Sequence, residues 1–240
     1  MNKLSYDLHI HSCLSPCGHE DMTPANIVNM AKLLDLDLIA VTDHNSCKNC
    51  PAVYNYAQKN NILAIPGMEL CTVEEVHVLC FFSKLEDAMA FDAYVYQRLI
   101  KILNQEKIFG KQEIYNEADV KIGEEPYLLI NATDISFDDL GQLMNEYKGI
   151  YIPAHVDKAS NSLISNLGFV PPGADFKCVE LNNKIRKEEL IIKHPYFKEC
   201  NIISNSDGHT LGDINEAVNF IDVKEKNCES VIERLTHFNI

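Results

Sequence analysis

Short hydrophobic runs in this chain repeatedly end next to a histidine or a carboxylic acid. The first run, residues 4–10, contains His9 and is followed by His11. An H-x-H motif on a strand puts both imidazoles on one face, because strand side chains alternate with a period of two. Hydrophobic runs that end next to a histidine or a carboxylic acid recur at residues 38–42, 63–68, 150–154 and 201–206. Polar residues at the downstream ends of several strands are typical of the active site of an α/β barrel.

The residues in and after these runs have side chains that commonly bind metal ions. They are His9, His11, His19, His44, Glu69, His77, His155, Asp207 and His209. Nitrogen and carboxylate ligands suit zinc, manganese or iron, and most of these positions lack a nearby thiolate pair, which argues against a closed structural zinc site. The set is too large for one ion and about right for two or three. Clustered ions indicate hydrolytic chemistry at phosphate.

The composition is that of a folded protein without a membrane segment. The 240 residues, 46% of them hydrophobic, suit one domain or a domain with an insertion. No apolar stretch is long enough to cross a bilayer. The N-terminus leads directly into a predicted strand and has no signal-peptide layout, so we expect a cytoplasmic protein.

The net charge of −14 bears on possible partners. Non-specific binding to nucleic acid relies on a basic surface, so we expect no duplex nucleic acid partner, and no membrane partner. An acidic protein can still act on a small phosphorylated substrate if its site is locally positive.

The nine cysteines are expected to be reduced thiols in a cytoplasmic protein. Cys71, Cys80 and Cys178 lie in apolar stretches and are predicted to be core residues. Cys47 and Cys50 form a single C-x-x-C, which is weak evidence for metal or redox chemistry. We interpret them as loop residues near the mouth of the site.

The first part of the chain alternates predicted strands and helices, which favours βαβ units. Thr23 and Pro24 predict a helix start, with Thr as N-cap and Pro at the first helical position. Strands are predicted at 6–11, 38–42, 62–69 and 76–82, with a helix at 51–60. Strands resume at 149–156, 178–181, 201–206 and 219–223.

Residues 85–148 have a different pattern and contain no histidine. Helices are predicted at 87–104 and 136–147, with a polar, turn-rich stretch between them. We therefore predict a barrel domain formed by residues 1–84 and 149–240, with residues 85–148 inserted as a cap-like segment.

Five motifs occur in an order and spacing that resemble the PHP (polymerase and histidinol phosphatase) family. They are His9-x-His11, Thr42-Asp43-His44, Gly67-Met68-Glu69, Ala154-His155 and Ser206-Asp207-Gly208-His209. The resemblance extends from residue 6 to about residue 225. It implies an α/β fold, a distorted seven-stranded β/α barrel, with three divalent metal ions at the C-terminal ends of the strands.

The resemblance also implies a distribution of ligands. The first ion takes His9, His11, Glu69 and Asp207; the second takes Glu69, His77 and His155; the third takes His19, His44 and His209. Glu69 matches the bridging carboxylate. His19 is preferred in its loop, but many relatives have Asp there, so Glu20 and Asp21 are alternatives.

The chain is similar to small stand-alone PHP phosphoesterases. These include nucleoside bisphosphate phosphatases and hydrolases of short oligonucleotides. The resemblance therefore implies a metal-dependent phosphoesterase that hydrolyses small phosphate esters or (oligo)nucleotides by attack of a metal-bound hydroxide.

Two further residues are candidates for catalytic roles. Relatives tend to have Arg where this chain has Lys158, which we expect to neutralise the phosphoryl group as a point charge. The alternative is a surface lysine paired with Asp157 or another loop carboxylate, and Arg186 is a weaker candidate for phosphate binding. Asp43 is expected to orient an imidazole rather than bind metal.

Two other functions compete with this one. A histidinol-phosphate-type phosphatase would apply the same chemistry to another substrate. A non-catalytic PHP module would bind metal for stability only. This last hypothesis is less favoured, because the chain keeps a plausible ligand at every expected position.

Overall fold

The chain folds into short strands alternating with helices over residues 1–237, which are the residues described by the computed structural model. The strands are β1 Asn2–Ile10, β2 Leu38–Val41, β3 Leu63–Ala64, β4 Gly67–Cys71, β5 His77–Phe82, β6 Glu113–Tyr115, β7 Lys121–Glu124, β8 Gly149–Pro153, β9 Cys178–Glu180, β10 Asn201–Ile203 and β11 Phe220–Val223. The helices are α1 Pro24–Leu33, α2 Cys50–Lys59, α3 Leu85–Arg98, α4 Glu106–Phe109, α5 Leu140–Glu146, α6 Leu163–Leu167, α7 Lys187–Lys193 and α8 Cys228–Thr236. None of these helices combines the length and apolar character needed to cross a lipid bilayer.

The strands form mixed sheets. One sheet has the order β11-β1-β2-β3, a second β4-β5-β8, a third β10-β9, and β6 and β7 form a separate hairpin. The pairs β1–β2, β2–β3 and β9–β10 are parallel, whereas β4, β5 and β8 are antiparallel to their neighbours. The α/β class is confirmed.

The predicted closed seven-stranded barrel is not found among residues 1–237. Only residues 72–76 connect β4 to β5, and a parallel pair needs a crossover of about a dozen residues or more, so these strands pair antiparallel. Neighbouring sheets meet through isolated bridges, such as Ile10 with Gly208 and His44 with Glu69. These bridges bring the ends of β1, β2, β4 and β10 to one place.

Helix α1 begins as predicted. The Thr23 side chain accepts a hydrogen bond from the Asn26 backbone N–H, and Pro24 occupies the first turn. Its buried face, which includes Ile27 and Ala31, packs into one apolar cluster with Ile39 of β2. The helix therefore supports the strand that leads to His44.

The run predicted as one strand over residues 62–69 is two strands, β3 and β4. Pro66 separates them because it has no N–H to donate to a sheet. Its carbonyl instead accepts a 2.9 Å hydrogen bond from the Phe82 N–H. A Cβ at Gly67 would lie 2.5 Å from the Cys80 carbonyl oxygen, so glycine allows β4 to approach β5 closely.

Within residues 85–148, helix α3 is shorter than predicted. It ends at Arg98 because Leu99 turns to extended backbone and forms a bridge with Thr133. Phe91 of α3 and Leu140 of α5 lie in the same apolar cluster as strand residues of β4 and β5. The division into a barrel and an inserted cap-like segment stays a prediction.

The cysteines are free thiols. Cys71, Cys80 and Cys178 are buried, which confirms their prediction as core residues. Cys47 and Cys50 are also buried, and each thiol lies 3.3 Å from the Gly67 carbonyl oxygen. Cys47 lies in the loop before α2, as interpreted, whereas Cys50 is the first residue of that helix, and both thiols are buried against β4 rather than at the mouth of the site.

Candidate metal centre

The Glu69 carboxylate lies at the centre of the predicted ligands. It is buried on β4, and five imidazoles surround it. Oε1 lies 2.9 Å from His77 Nδ1, 3.2 Å from His155 Nε2 and 3.4 Å from His9 Nε2, and Oε2 lies 3.0 Å from His44 Nδ1 and 3.4 Å from His11 Nε2. One carboxylate therefore contacts His77 and the histidines of three other motifs, and only the motif that contains Asp207 and His209 is not represented.

Asp207, in the last motif, provides a second carboxylate. Its Oδ1 lies 3.3 Å from Nε2 of both His9 and His11. The His209 Nδ1 lies 2.7 Å from the Asp207 carbonyl oxygen, which fixes the ring of His209. Asp207 and His155 both have positive φ angles, 53° and 28°. Non-glycine residues in such conformations concentrate at functional sites and cost on the order of 1–3 kcal/mol each.

The imidazole rings form a continuous group around the two carboxylates. Ring centroids are 4.4 Å apart for His11 and His209, 4.5 Å for His11 and His44, 5.2 Å for His44 and His77, and 5.4 Å for His77 and His155. His155 Nδ1 is buried without a hydrogen-bond partner, and the 3.0 Å approach between His44 Nδ1 and Glu69 Oε2 lacks the geometry of a hydrogen bond. Buried polar atoms are normally paired, so this donor set fits bound cations.

The charged groups of the cluster shift one another's pKa values. Burial opposes charging of Glu69, but His77, His9 and His44 hold its pKa well below the ordinary value. Burial likewise opposes charging of His77, yet Glu69 raises the pKa of His77 to about 10. For His44, burial dominates and lowers its pKa to about 3. The carboxylates thus attract positive charge into a buried site.

Glu180, at the end of β9, contacts His9 and was not identified as a site residue from the sequence. Its two oxygens lie 3.0 and 3.1 Å from His9 Nδ1, and it accepts a 2.9 Å hydrogen bond from the His155 backbone N–H. A carboxylate on one ring nitrogen leaves the other free to bind metal. Glu180 could have been found, because it stands near the end of a predicted strand as the ligands do.

Asp43 lies behind the cluster rather than inside it. Its carboxylate accepts hydrogen bonds from the Ser12 N–H at 2.7 Å, the Ser12 hydroxyl at 2.6 Å and the Ser15 hydroxyl at 2.7 Å. Ser15 Oγ lies 3.0 Å from His11 Nδ1. Asp43 therefore acts on His11 through Ser15 and does not contact the space between the imidazoles.

The structure does not bring His19 into the cluster. Its side chain is 54% exposed, and its Nδ1 accepts a 3.2 Å hydrogen bond from the Asp21 N–H. Glu20 and Asp21, the alternatives, are also exposed. Cys17 lies closer: possible ligand atoms of Cys17, His11, His44 and His209 are within 4.8 Å of one another.

Lys158 forms an ion pair with Asp207, with 35% of its side chain exposed. The ion pair of Lys158 is thus formed with a carboxylate of the last motif and not with Asp157. The Asp157 carboxylate instead accepts backbone hydrogen bonds from Asn182 and Asn183. Lys158, the lysine expected to bind the phosphoryl group, therefore lies beside the predicted centre with about a third of its side chain exposed to solvent.

A surface cavity of about 460 Å³ opens beside the cluster. Its lining residues are Cys13, Cys17, Gly18, His19, Glu20, Glu106, Gly110, Lys111 and Glu113. One wall thus comes from the loop after β1 and the other from residues 106–113. The cavity gives a small molecule access to the side of the cluster that contains Cys17.

Several solved structures resemble this fold. The lesion-specific endonuclease Q of Pyrococcus furiosus has a TM-score of 0.66 at 20% identity, over 98% of this chain and 56% of that one. A proposed metal-dependent phosphoesterase of Bifidobacterium adolescentis has a TM-score of 0.62 at 18% identity, over 96% and 95% of the two chains. This chain thus spans little more than half the length of endonuclease Q.

One of these structures corrects the expectation about nucleic acid. An endonuclease Q complex contains a 27-mer duplex substrate with an abasic lesion at the active site, and it matches with a TM-score of 0.64 at 20% identity, over 97% of this chain and 56% of that one. The same fold thus occurs in an enzyme that acts on duplex DNA. The exclusion of duplex nucleic acid, which we based on net charge alone, was therefore wrong.

The sequence itself also identifies a family. No curated protein sequence matches the chain significantly. The profile of the PHP domain matches residues 7–238, almost the whole chain, and this range includes all five motifs and the surrounding imidazoles of Glu69. The chain is therefore a member of the PHP domain family.

Proposed function

We propose that this protein is a metal-dependent phosphoesterase that acts on small phosphate esters or on nucleotides and short oligonucleotides. The observation that carries the proposal is the contact of one buried carboxylate, Glu69, with five imidazoles. A carboxylate in this position can bridge two ions. A phosphoryl group is the substrate group that clustered divalent ions commonly bind.

The residues fall into two sets that share Glu69. His9, His11, Glu69 and Asp207 would hold one ion, and Glu69, His77 and His155 a second. Divalent ions of manganese, iron or zinc would supply Lewis acidity toward phosphoryl oxygens and a water of lowered pKa as the nucleophile. A third ion would bind at His44 and His209. Glu180 and the Asp43–Ser15 pair keep His9 and His11 oriented.

Lys158 is the proposed phosphate-binding residue. Its ammonium group lies against Asp207 at the partly exposed edge of the centre, so an anionic substrate oxygen can reach it. A protonated lysine cannot bind a metal ion, and its three N–H groups can donate to phosphate. Its contribution is to neutralise the phosphoryl group while the imidazoles and carboxylates hold the ions.

The experiment is a hydrolysis screen with purified protein loaded separately with manganese, iron or zinc. The panel includes phosphomonoesters, phosphodiesters, cyclic phosphates, histidinol phosphate, short oligonucleotides and a duplex with an abasic site. We expect hydrolysis of at least one small ester or oligonucleotide, with activity lost on chelation and restored by metal. His237→Ala is a suitable control, because this exposed histidine follows α8 and its ring contacts the Glu233 carbonyl oxygen.

The same screen separates the competing functions. Exclusive hydrolysis of histidinol phosphate would favour a histidinol-phosphate-type phosphatase. Tight metal binding without hydrolysis of any ester would favour a non-catalytic metal-binding module. Cleavage restricted to the abasic duplex would indicate that the substrate is a damaged nucleic acid and not a small phosphate ester.

A further inference from the structure

The cluster on the cavity side of the centre contains a sulfur atom that the predicted ligand set lacks. Cys17, His11, His44 and His209 can each direct one ligand atom to within 4.8 Å of the others. Cys17 is exposed, in contrast with the other eight cysteines, which are buried. It therefore combines access to solvent with a position beside three imidazoles.

The loop that contains Cys17 is held in place by several hydrogen bonds. The Ser15 N–H donates to the Ser12 carbonyl at 3.1 Å, and the Gly18 N–H donates to the Ser15 carbonyl at 2.9 Å. A Cβ at Gly18 would overlap the Ser12 carbonyl oxygen, so this compact turn requires glycine next to Cys17. Because these contacts fix the backbone of the turn, they hold the Cα of Cys17 in place beside the cluster.

The same loop is attached to the segment that contains His44. The Ser15 hydroxyl donates to the Asp43 carboxylate at 2.7 Å, and Ser15 Oγ accepts a 3.1 Å hydrogen bond from the His44 N–H. The buried Nδ1 atom of His44 lies 3.0 Å from Glu69 Oε2 without forming a hydrogen bond to it. An imidazole nitrogen in this position can bind a cation.

The four residues are not equally available for a separate ion. Nε2 of His11 already faces two carboxylates of the first set, Glu69 at 3.4 Å and Asp207 at 3.3 Å, whereas His44 faces one of them, Glu69. This leaves Cys17, His44 and His209. The side chain of His19 is 54% exposed and lies outside the cluster, so His19 could replace Cys17 only if this side chain moved.

We propose that the Cys17 thiolate, together with His44 and His209, binds the third divalent ion, and that this position selects zinc. Thiolate and imidazole ligands favour zinc, whereas the carboxylate-rich positions around Glu69 and Asp207 also suit manganese. Three protein ligands would leave a fourth position open, as in catalytic zinc sites, and one of the three, Cys17, lines the cavity of about 460 Å³. This assignment rests on the multi-metal centre of the proposed function, but not on the identity of the substrate.

Cobalt substitution tests the sulfur ligand directly, because a Co²⁺–thiolate bond gives a charge-transfer absorption band in the near ultraviolet. We expect the full-length protein loaded with Co²⁺ to show this band. Cys17→Ser should lose the band and one equivalent of bound zinc. Cys17→Asp should regain the equivalent without the band, since a carboxylate can bind the ion but contains no sulfur.

Two matched variants serve as controls. Cys13→Ser removes a buried cysteine of the same loop, which also lines the cavity, and His19→Ala removes the histidine predicted from the sequence. Both should keep the band and the full metal content. A band that persists in Cys17→Ser, or one that is lost in His19→Ala, would overturn the assignment.

A second measurement needs no variant. Alkylation of the wild-type protein with iodoacetamide, followed by peptide mass spectrometry, reports the reactivity of each thiol. Zinc should protect Cys17 and leave the buried cysteines unchanged, and an equal rate with and without zinc would overturn the proposal. A thiolate band without any phosphate ester hydrolysis would leave this assignment standing and contradict the proposed function, whereas hydrolysis without the band would do the opposite.

Discussion

At the scale of single residues, Glu69 is the side chain on which the account depends. Its oxygens contact five imidazoles, so a neutral amide in its place removes the charge shared by two ion positions. We predict that Glu69→Gln loses at least two equivalents of metal together and loses hydrolysis. Elemental analysis and the substrate screen provide the measurements.

The matched control is Glu86→Gln, which removes an exposed carboxylate at the start of α3. This variant should keep its metal and its activity. If Glu69→Gln lost a single equivalent and kept activity near that of the wild type, Glu69 would not be the bridging ligand.

Lys158 supports a second prediction at this scale. Replacing it with alanine removes a charge-assisted hydrogen bond to phosphate, worth roughly 1.5–3 kcal/mol, or about ten- to a hundred-fold in kcat/KM. Lys158→Ala should keep full metal content, because its removal frees the Asp207 carboxylate. Steady-state kinetics on the best substrate, with metal analysis of the same sample, tests both statements.

Lys224→Ala is the control for Lys158, since Lys224 forms an exposed ion pair with Glu233. Its kinetics should match the wild type. Unchanged kinetics in Lys158→Ala would make Lys158 an ordinary loop residue, and the phosphate site would have to be sought elsewhere.

At the scale of secondary-structure elements, the ends of the strands determine the site. Glu180 at the end of β9 contacts His9 Nδ1 and the His155 N–H. Changes to such supporting residues typically cost about 10–100-fold in metal affinity or activity. We predict that Glu180→Gln weakens metal binding by about tenfold while the protein stays folded, as calorimetric titration and circular dichroism would show.

Glu189→Gln, on the exposed face of α7, is the corresponding control and should bind metal normally. Wild-type metal affinity in Glu180→Gln would mean that the orientation of His9 does not depend on this carboxylate.

The sequence predicted the elements whose local signals are strong. The H-x-H motif on β1, the cap at Thr23 and the ligands that follow β2 and β8 were all placed by strand period and capping rules. The sequence did not reveal that β4 and β5 pair antiparallel, because this follows from the short connection over residues 72–76 and from the close approach at Gly67. Periodicity reports which face is buried, but not which strand lies beside it.

The loop after β1 shows a second limit of sequence reasoning. His19 and Cys17 are two residues apart in a turn, where no period applies, and from the sequence we considered His19, Glu20 and Asp21 as ligands but not Cys17. Hydrogen bonds from Ser15 to Ser12 and Asp43 decide which of the two faces the cluster. These are tertiary contacts, which the local pattern does not contain.

At the scale of the whole molecule, the total charge was a poor guide to partners. The net charge of −14 predicted no duplex nucleic acid, yet the fold is shared with an enzyme solved on a duplex substrate. Total charge does not say where on the surface the charge lies. In this molecule, two buried carboxylates concentrate negative charge at a site that cations can neutralise.

The stability of the metal-free protein should depend on pH through these charges. The pKa of His77 is raised from 6.5 to about 10 in the folded state, mainly by Glu69 against the effect of burial. A raised pKa contributes stability that is fully present below pH 6.5 and is lost as the pH rises through about 10. We predict that the Tm of the metal-free protein falls over this range, as differential scanning calorimetry would show.

Metal should change this dependence, because a bound ion requires a neutral imidazole and displaces its proton. The fall in Tm should then be smaller in the metal-loaded protein, and also in metal-free His77→Gln. The same fall in all three samples would show that His77 does not cause it.

The proposed metal centre requires more than one ion on each chain, since Glu69 is proposed to join two metal positions and Cys17 to complete a third. The most direct measurement is elemental analysis of full-length protein, purified without chelator, with the protein concentration determined by amino-acid analysis. We predict about three equivalents of manganese, iron or zinc per chain, as the ligand sets imply. A protein that holds at most one equivalent, even after incubation with excess metal, would contradict the multi-metal centre.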